Sequence, residues 1–310
     1  MNLRKYFPKK ERFVIEGREV ILINKTKLDF PSKLRNVILL FCRTEKIAWS
    51  LPRVFFSLES WDGALAKIDE SQMEKEKLII NINAERIYGS ESEQHWRRII
   101  AHELTHLFHD YLSGTIRRYY RTSKRLDRAL SEVQKRMEVD LAHDDLRVLY
   151  FRLFRKIFTE GIAKYYENLK MGITVISEDH FQDIYETEKE DLNYVKEKLA
   201  LALNEILKLS SNRKSSGGLS NSFVELLKRH WYSTGYHMVY TILFVDHKTN
   251  FEQVLHFQPF EFIRKYEECM VIKGLQPVIS VTSGKGILDY KTLLAELTAA
   301  VKELQRRSGK

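Results

Sequence analysis

The sequence predicts an α+β chain in two parts. A mixed lobe with a small mixed sheet spans residues 1–114 and ends in a long helix; a mainly helical lobe spans 115–310. Three observations carry this reading. Runs rich in Val, Ile and Phe cluster before residue 84, with one further short run at 277–281. Residues 97–114, RRIIAHELTHLFHDYLSG, keep helical spacing. From about 115 to 273 nearly every segment does the same, apart from a break at SSNRKSSGG, residues 210–218.

The elements follow in order. RFVIEGREVILIN, residues 12–24, reads as a hairpin turning at Glu16-Gly17. Residues 31–48 open on Pro31-Ser32 and carry Leu34, Val37, Ile38 and Phe41 at helical spacing. Residues 54–58, VFFSL, read as a strand, and WDGALAKIDES after it as a loop with a turn at Asp62-Gly63. LIININ, residues 78–83, is a strand leading towards the 97–114 helix, which Ser90 to Ser92 can cap and Gly114 can end. The run at 277–281 and a turn at Ser283-Gly284 precede a last helix, 287–306.

Composition bounds the function. The 310 residues are 44% hydrophobic, enough for one large or two modest cores. The longest apolar run, Val37 to Cys42, is far short of the roughly 20 residues of a membrane span. MNLRKYFPKKERF has a basic start with no apolar segment behind it, so it does not read as a signal peptide. Two cysteines, Cys42 and Cys269, make neither a disulfide framework nor a cysteine-rich zinc module. The expectation is a cytoplasmic protein that makes no use of a membrane.

The net charge is +9. Residues 115–156 hold twelve basic side chains against six acidic ones, a net +6. Such a stretch can attract nucleic acid or an acidic partner; its plainer reading is a solvated helix face laced with ion pairs.

HELTH carries the chemistry. A helix turns about 100° and rises about 1.5 Å per residue, so His102 and His106 stand about 40° apart and roughly 6 Å apart along the axis. Both imidazoles can reach one ion. A catalytic zinc takes three protein ligands, leaves its fourth position to water and lowers that water's pKa towards about 7. Glu103, beside His102, suits the general base that takes the water's proton and passes it to a leaving amine. His109 lies about 10 Å further along the axis than His102, too far for the same ion; it reads as core or as support for a ligand.

AHELTHLFHDYLSG resembles the zinc helix of thermolysin-type peptidases, which share HELTH and an Asp-Tyr-x-x-Gly that Asp110, Tyr111 and Gly114 match here. The match covers about fourteen residues. The metzincin extension fails, because His109 stands where it needs glycine and Leu112 where it needs histidine. TEGIAKYYENL, residues 159–169, resembles the Glu-Gly-x-Ala segment of the gluzincins, including the aminopeptidase N family and the minimal gluzincins. That resemblance implies a zincin-like first lobe and Glu160 as the third zinc ligand. Gly161 and Ala163 would let the two ligand-bearing helices approach. The spacing departs from the family: 54 positions separate His106 from Glu160, against roughly twenty in the usual pattern. Glu132, Glu138 and His143 are rival ligands.

WYSTGYHMVYTIL, residues 231–243, resembles the Tyr-x-x-Gly helix start of the aminopeptidase N family, whose tyrosine holds the oxyanion. This points to Tyr232, with Gly235 completing the pattern and Tyr236 and His237 as alternatives. In gluzincins an edge strand before the zinc helix pairs with substrate backbone; strand 78–83 takes that place, with Asn83 as a substrate contact. Asp110 is a candidate to orient a ligand, since metal-bound imidazoles commonly donate their other N–H to a carboxylate. The Gly-x-Met-Glu-Asn hallmark of the aminopeptidases is absent, which does not support an exopeptidase that clamps the N-terminus.

The expectation is a zinc metallopeptidase acting on peptide or protein substrates. The rival is a nucleic-acid-associated or scaffold protein with a zincin fold and vestigial or restrained catalysis, motivated by the basic segment. The last helix could also cover the cleft until it is cleaved.

Overall fold

The computed structural model describes residues 8–45, 53–62, 64–68, 78–88, 92–111, 146–170, 182, 185–186, 189, 221–257, 259–278, 282–283, 286–287 and 299. Strands β1 (Lys9–Ile15) and β2 (Arg18–Asn24) form the expected antiparallel hairpin. Its two turn residues, Glu16 at φ 49° and Gly17 at φ 76°, both take positive φ. That is the type I′ geometry whose twist matches the flanking strands. Helix α1 (Ser32–Thr44) buries Leu34, Val37, Ile38, Phe41 and Cys42, the stripe its spacing predicts.

Strands β3 (Arg53–Glu59), β4 (Ala66–Ile68) and β5 (Leu78–Asn83) complete a mixed five-stranded sheet of order β1-β2-β3-β5-β4. β2, β3 and β5 run parallel, and β1 and β4 are antiparallel edges. β4 lies inside the segment expected to be a loop. Three residues beside a turn signal carry no readable period, so only pairing with β5 reveals the strand. The register aligns Leu22 with Phe56 and Phe56 with Ile80, so one face presents a continuous apolar row.

A short helix, α2 (Ala84–Tyr88), follows β5 directly and intervenes before α3 (Glu93–Tyr111). Ser92 caps α3: its hydroxyl accepts from the His95 backbone N–H at 3.4 Å. Trp96, Ile100, Leu104, Leu107 and Phe108 form the buried stripe of α3. α3 packs on α1 and touches β4 and β5.

Helix α4 (Leu146–Lys170) buries Phe154, Ile157, Phe158, Ile162 and Ala163. The chain divides into two compact units, Met1–Ser113 with Tyr166–Thr174, and Gly114–Tyr165 with Val175–Lys310. In the first, the Tyr166 hydroxyl and the Lys170 ammonium both lie 2.6 Å from Glu45 Oε2, beyond the end of α1. In the second, α5 (Asn221–Val245) packs on α7 (Pro259–Ile272), with α6 (Phe251–His256) between them in sequence. An Asn250–Gln253 capping box starts α6. The run expected as a strand at 277–281 is not one at Pro277 or Val278. Instead β6 (Thr282–Ser283) pairs with β7 (Gly286–Ile287). Among the described residues this makes a mixed α+β fold with seven helices, and no helix is long and apolar enough to cross a membrane. Residues 115–145, the break at 210–218 and most of the last expected helix lie outside the described residues.

His237 on α5 is fully buried, 3.3 Å from the Tyr266 hydroxyl, which accepts the Val278 backbone N–H at 3.1 Å. Tyr266 links the imidazole to the backbone at Val278. Burial lowers the His237 pKa from 6.5 to about 3. The unfolded chain then takes up a proton between those values that the folded chain does not. Stability is complete above about pH 6.5 and is lost as pH falls towards about 3. His237→Gln, which keeps a hydrogen-bonding side chain but does not titrate, should flatten that acid limb by about 1.4 kcal/mol per pH unit. Urea midpoints measured from pH 7 to pH 4 check this; parallel curves for both proteins would refute it.

Candidate metal centre

His102, Glu103 and His106 are half-buried on α3. The two imidazoles meet edge to face, with Nε2 of each 3.1 Å from the other. Two nitrogens bound at about 2.0–2.1 Å to one tetrahedral ion stand roughly 3.3–3.4 Å apart. The pair is thus already spaced for a shared cation. His109 is buried in the core beside Phe108.

The opposite nitrogen of His102, Nδ1, lies 3.2 Å from Glu167 Oε2 on α4. Glu167 is buried, and the Arg98 guanidinium also pairs with it. This is an approach at ion-pair distance; an Nδ1–H turned onto the carboxylate would favour the tautomer that ligates through Nε2. Sequence reasoning missed Glu167 and looked to Asp110, whose side chain lies outside the described residues. The signal was present: Glu167 follows Glu160 by seven residues, two turns along the same helix face.

That same spacing on one continuous helix carries Glu160. His102, His106 and Glu160 each offer one ligand atom, and these atoms all lie within 4.8 Å of one another. The three could hold a metal ion. Two neutral imidazoles and one carboxylate also form the donor set that a divalent borderline cation takes. The rival ligands Glu132, Glu138 and His143 fall outside the described residues. Glu160 is buried, and the Lys156 ammonium reaches its Oε1 at 2.9 Å.

Gly161 has a different use from the one its sequence suggests. A Cβ built there would run into the backbone of Gly235 on α5, and one built on Gly235 would strike the Ile157 carbonyl. The small residue beside Glu160 admits α5. The crossing sets Tyr232 one turn before Gly235. Tyr232 is 41% exposed, whereas Tyr236 packs on the Tyr165 ring and His237 belongs to the core. Of the three oxyanion candidates, only Tyr232 remains accessible to a substrate.

Asn83 is corrected. β5 lies between β3 and β4, so it is not an edge. Asn83 is buried, and its side-chain amide donates to the Trp61 carbonyl at 2.7 Å and the Ala64 carbonyl at 3.3 Å. Its oxygen accepts the Glu85 backbone N–H at 3.2 Å. It braces the start of α2 and the chain before β4, and has no amide N–H directed to a substrate.

Glu167→Gln should weaken binding of a divalent metal by roughly 10- to 100-fold, because His102 loses its anionic acceptor. Competition against a chelator measures it, and unchanged affinity would remove Glu167 from the centre. Gly235→Ala should destabilise the chain by at least about 1–3 kcal/mol, as overpacking does, which thermal unfolding would register. No family model, curated protein or solved structure matches the chain, so the assignment rests on these side chains themselves.

Proposed function

We propose that the protein is a zinc-dependent metallopeptidase of the gluzincin type, with a zincin-like first lobe. The observation that carries the reading is the convergence of His102, His106 and Glu160, with Glu103 next to a ligand on the same helix. The sheet supports it: an antiparallel edge strand, β4, touches the helix that bears HELTH. An extended peptide can add to such an edge through backbone hydrogen bonds. In this reading β4 takes the substrate-pairing role first given to the strand at 78–83.

Zinc, when bound, would acidify a water and polarise the scissile carbonyl. The chain's own groups do the rest. Glu167 holds His102 in the ligating tautomer. Glu103 takes the water's proton on its carboxylate and delivers it to the leaving amine. Tyr232 donates its hydroxyl to the developing oxyanion. Leu104 and Thr105 anchor α3 in the core, while His102, Glu103 and His106 of the same turn are half-buried.

Metal content of purified protein tests the centre. About one zinc per wild-type chain, lost in Glu160→Ala, is expected; zinc retained in the variant would move the third ligand elsewhere. Glu103→Gln should keep the metal and lose nearly all hydrolysis of a casein or peptide-library substrate. Tyr232→Phe should lower kcat by roughly 10²- to 10³-fold with little change in KM. Full activity in Glu103→Gln would end the peptidase reading.

A further inference from the structure

Two arginines stand side by side near the start of α3, and their pairings differ. Arg97 lies 2.8 Å from Glu93 one turn earlier, and both ends of that pair are exposed. Such a pair along a helix contributes little. Arg98 reaches a residue 69 positions away: its Nε–H donates to Glu167 Oε1. The arginine side chain is 41% exposed and the carboxylate 7%. A buried carboxylate needs charged donors. A guanidinium also fixes direction, because its donors lie in one rigid plane.

The backbone under Glu167 is held separately. Tyr166, the residue before it, sets its ring edge-on to Phe41 of α1 at 6.4 Å, and its hydroxyl donates to Glu45 Oε2. The Lys170 ammonium meets the same oxygen. These contacts fix the end of α4. The side-chain torsions of Glu167 are then settled by what its carboxylate meets. Arg98 takes Oε1, and Oε2 stands 3.2 Å from His102 Nδ1. Arg98 and His102 are one turn apart on α3, so a single helix presents both to this carboxylate at a fixed spacing.

We propose that Arg98 is a positioning residue for the candidate metal centre: by holding Oε1 of Glu167 it turns Oε2 towards His102 and so sets the orientation of that imidazole. The inference rests on the metal-centre reading above. A carboxylate behind a ligating imidazole fixes how the ring points at its ion, and disturbing it weakens metal binding. Arg98 acts through Glu167. The opposite expectation also has a physical basis. An arginine that acted only as a nearby positive charge would repel a dication, and its removal would tighten binding.

The test uses the metal-free full-length chain, with zinc affinity taken from chelator competition. Wild type, Arg98→Met, Glu167→Gln and the double variant form a cycle. Arg98→Met should lower zinc affinity by roughly 10-fold. On the Glu167→Gln background the same substitution should cost nothing further, because the carboxylate through which it acts is gone. Cobalt(II) bound at saturation to Arg98→Met should show altered visible bands, since a turned imidazole changes the geometry at the ion. An arginine with a merely structural role would lower affinity equally on both backgrounds, and that result overturns the proposal. So do cobalt bands identical to those of wild type, or zinc bound by Arg98→Met as tightly or more tightly; each leaves the metal centre standing. No zinc bound by wild type overturns both. Far-UV circular dichroism confirms folding, and Arg98→Gln replaces the methionine variant if that one does not fold; the same outcomes decide it.

Discussion

Two glycines with no room between them organise the second half of this molecule. Gly161 and Gly235 meet backbone to backbone, and neither position has space for a Cβ. Helices usually keep 8–10 Å between their axes because side chains fill the gap; removing both side chains lets them come closer. The residues beside such a contact have little freedom. Glu160 precedes one glycine directly, and Tyr232 lies one turn before the other. Their positions are therefore set by hard-sphere contact, which tolerates less error than hydrogen bonding. A proposed catalytic constellation needs this precision, since reacting groups must be held within about 0.5 Å.

The buried carboxylates of Glu160 and Glu167 are arranged in pairs with basic side chains. Buried carboxylates are costly unless partnered, and each buried carboxylate near HELTH has a cation at hand. Glu167 pairs with Arg98 and approaches His102 Nδ1; Glu160 takes Lys156. The consequence is directional. In Glu167 one oxygen pairs with Arg98 and the other approaches the imidazole of His102. Burial sorts the remaining candidates by the same logic. His237, fully buried on α5, is driven neutral by desolvation and contacts the Tyr266 hydroxyl in the core. The same side-chain type at 102 and 106 is only half-buried and belongs to the group that could hold a metal ion.

Local features were legible in the sequence and pairwise ones were not. The hairpin at Glu16-Gly17, the amphipathic α1 and α3, and the HELTH pair all follow from periods and turn chemistry within a few residues. β4 was missed because three residues have no period; its existence depends on β5. Asn83 was misjudged for the same reason. Whether β5 is an edge depends on where β4 lies, and a sequence does not print strand order. Gly161 was recognised as a close-approach residue, but its contact with Gly235 was not foreseen, since a glycine announces contact without naming its partner. Glu167 was readable through its two-turn spacing from Glu160, yet it competed with Asp110, which sits on the same helix as the histidines and drew the eye first.

The long separation of His106 from Glu160 looks like the strongest objection to a shared centre, and polymer physics weakens it. Closing a flexible loop costs about (3/2)RT ln n, so going from roughly twenty residues to 54 adds only about 0.9 kcal/mol. That is smaller than the loss expected from one unpartnered buried charge. Much of the intervening chain is also not a loop, because α4 begins at Leu146 and delivers Glu160 four turns later from within a rigid helix. What matters physically is the face of α4 that carries Glu160 and Glu167, two turns apart on one helix. The length of chain before it is nearly free to vary, so an enlarged, basic insertion is compatible with an intact ligand set.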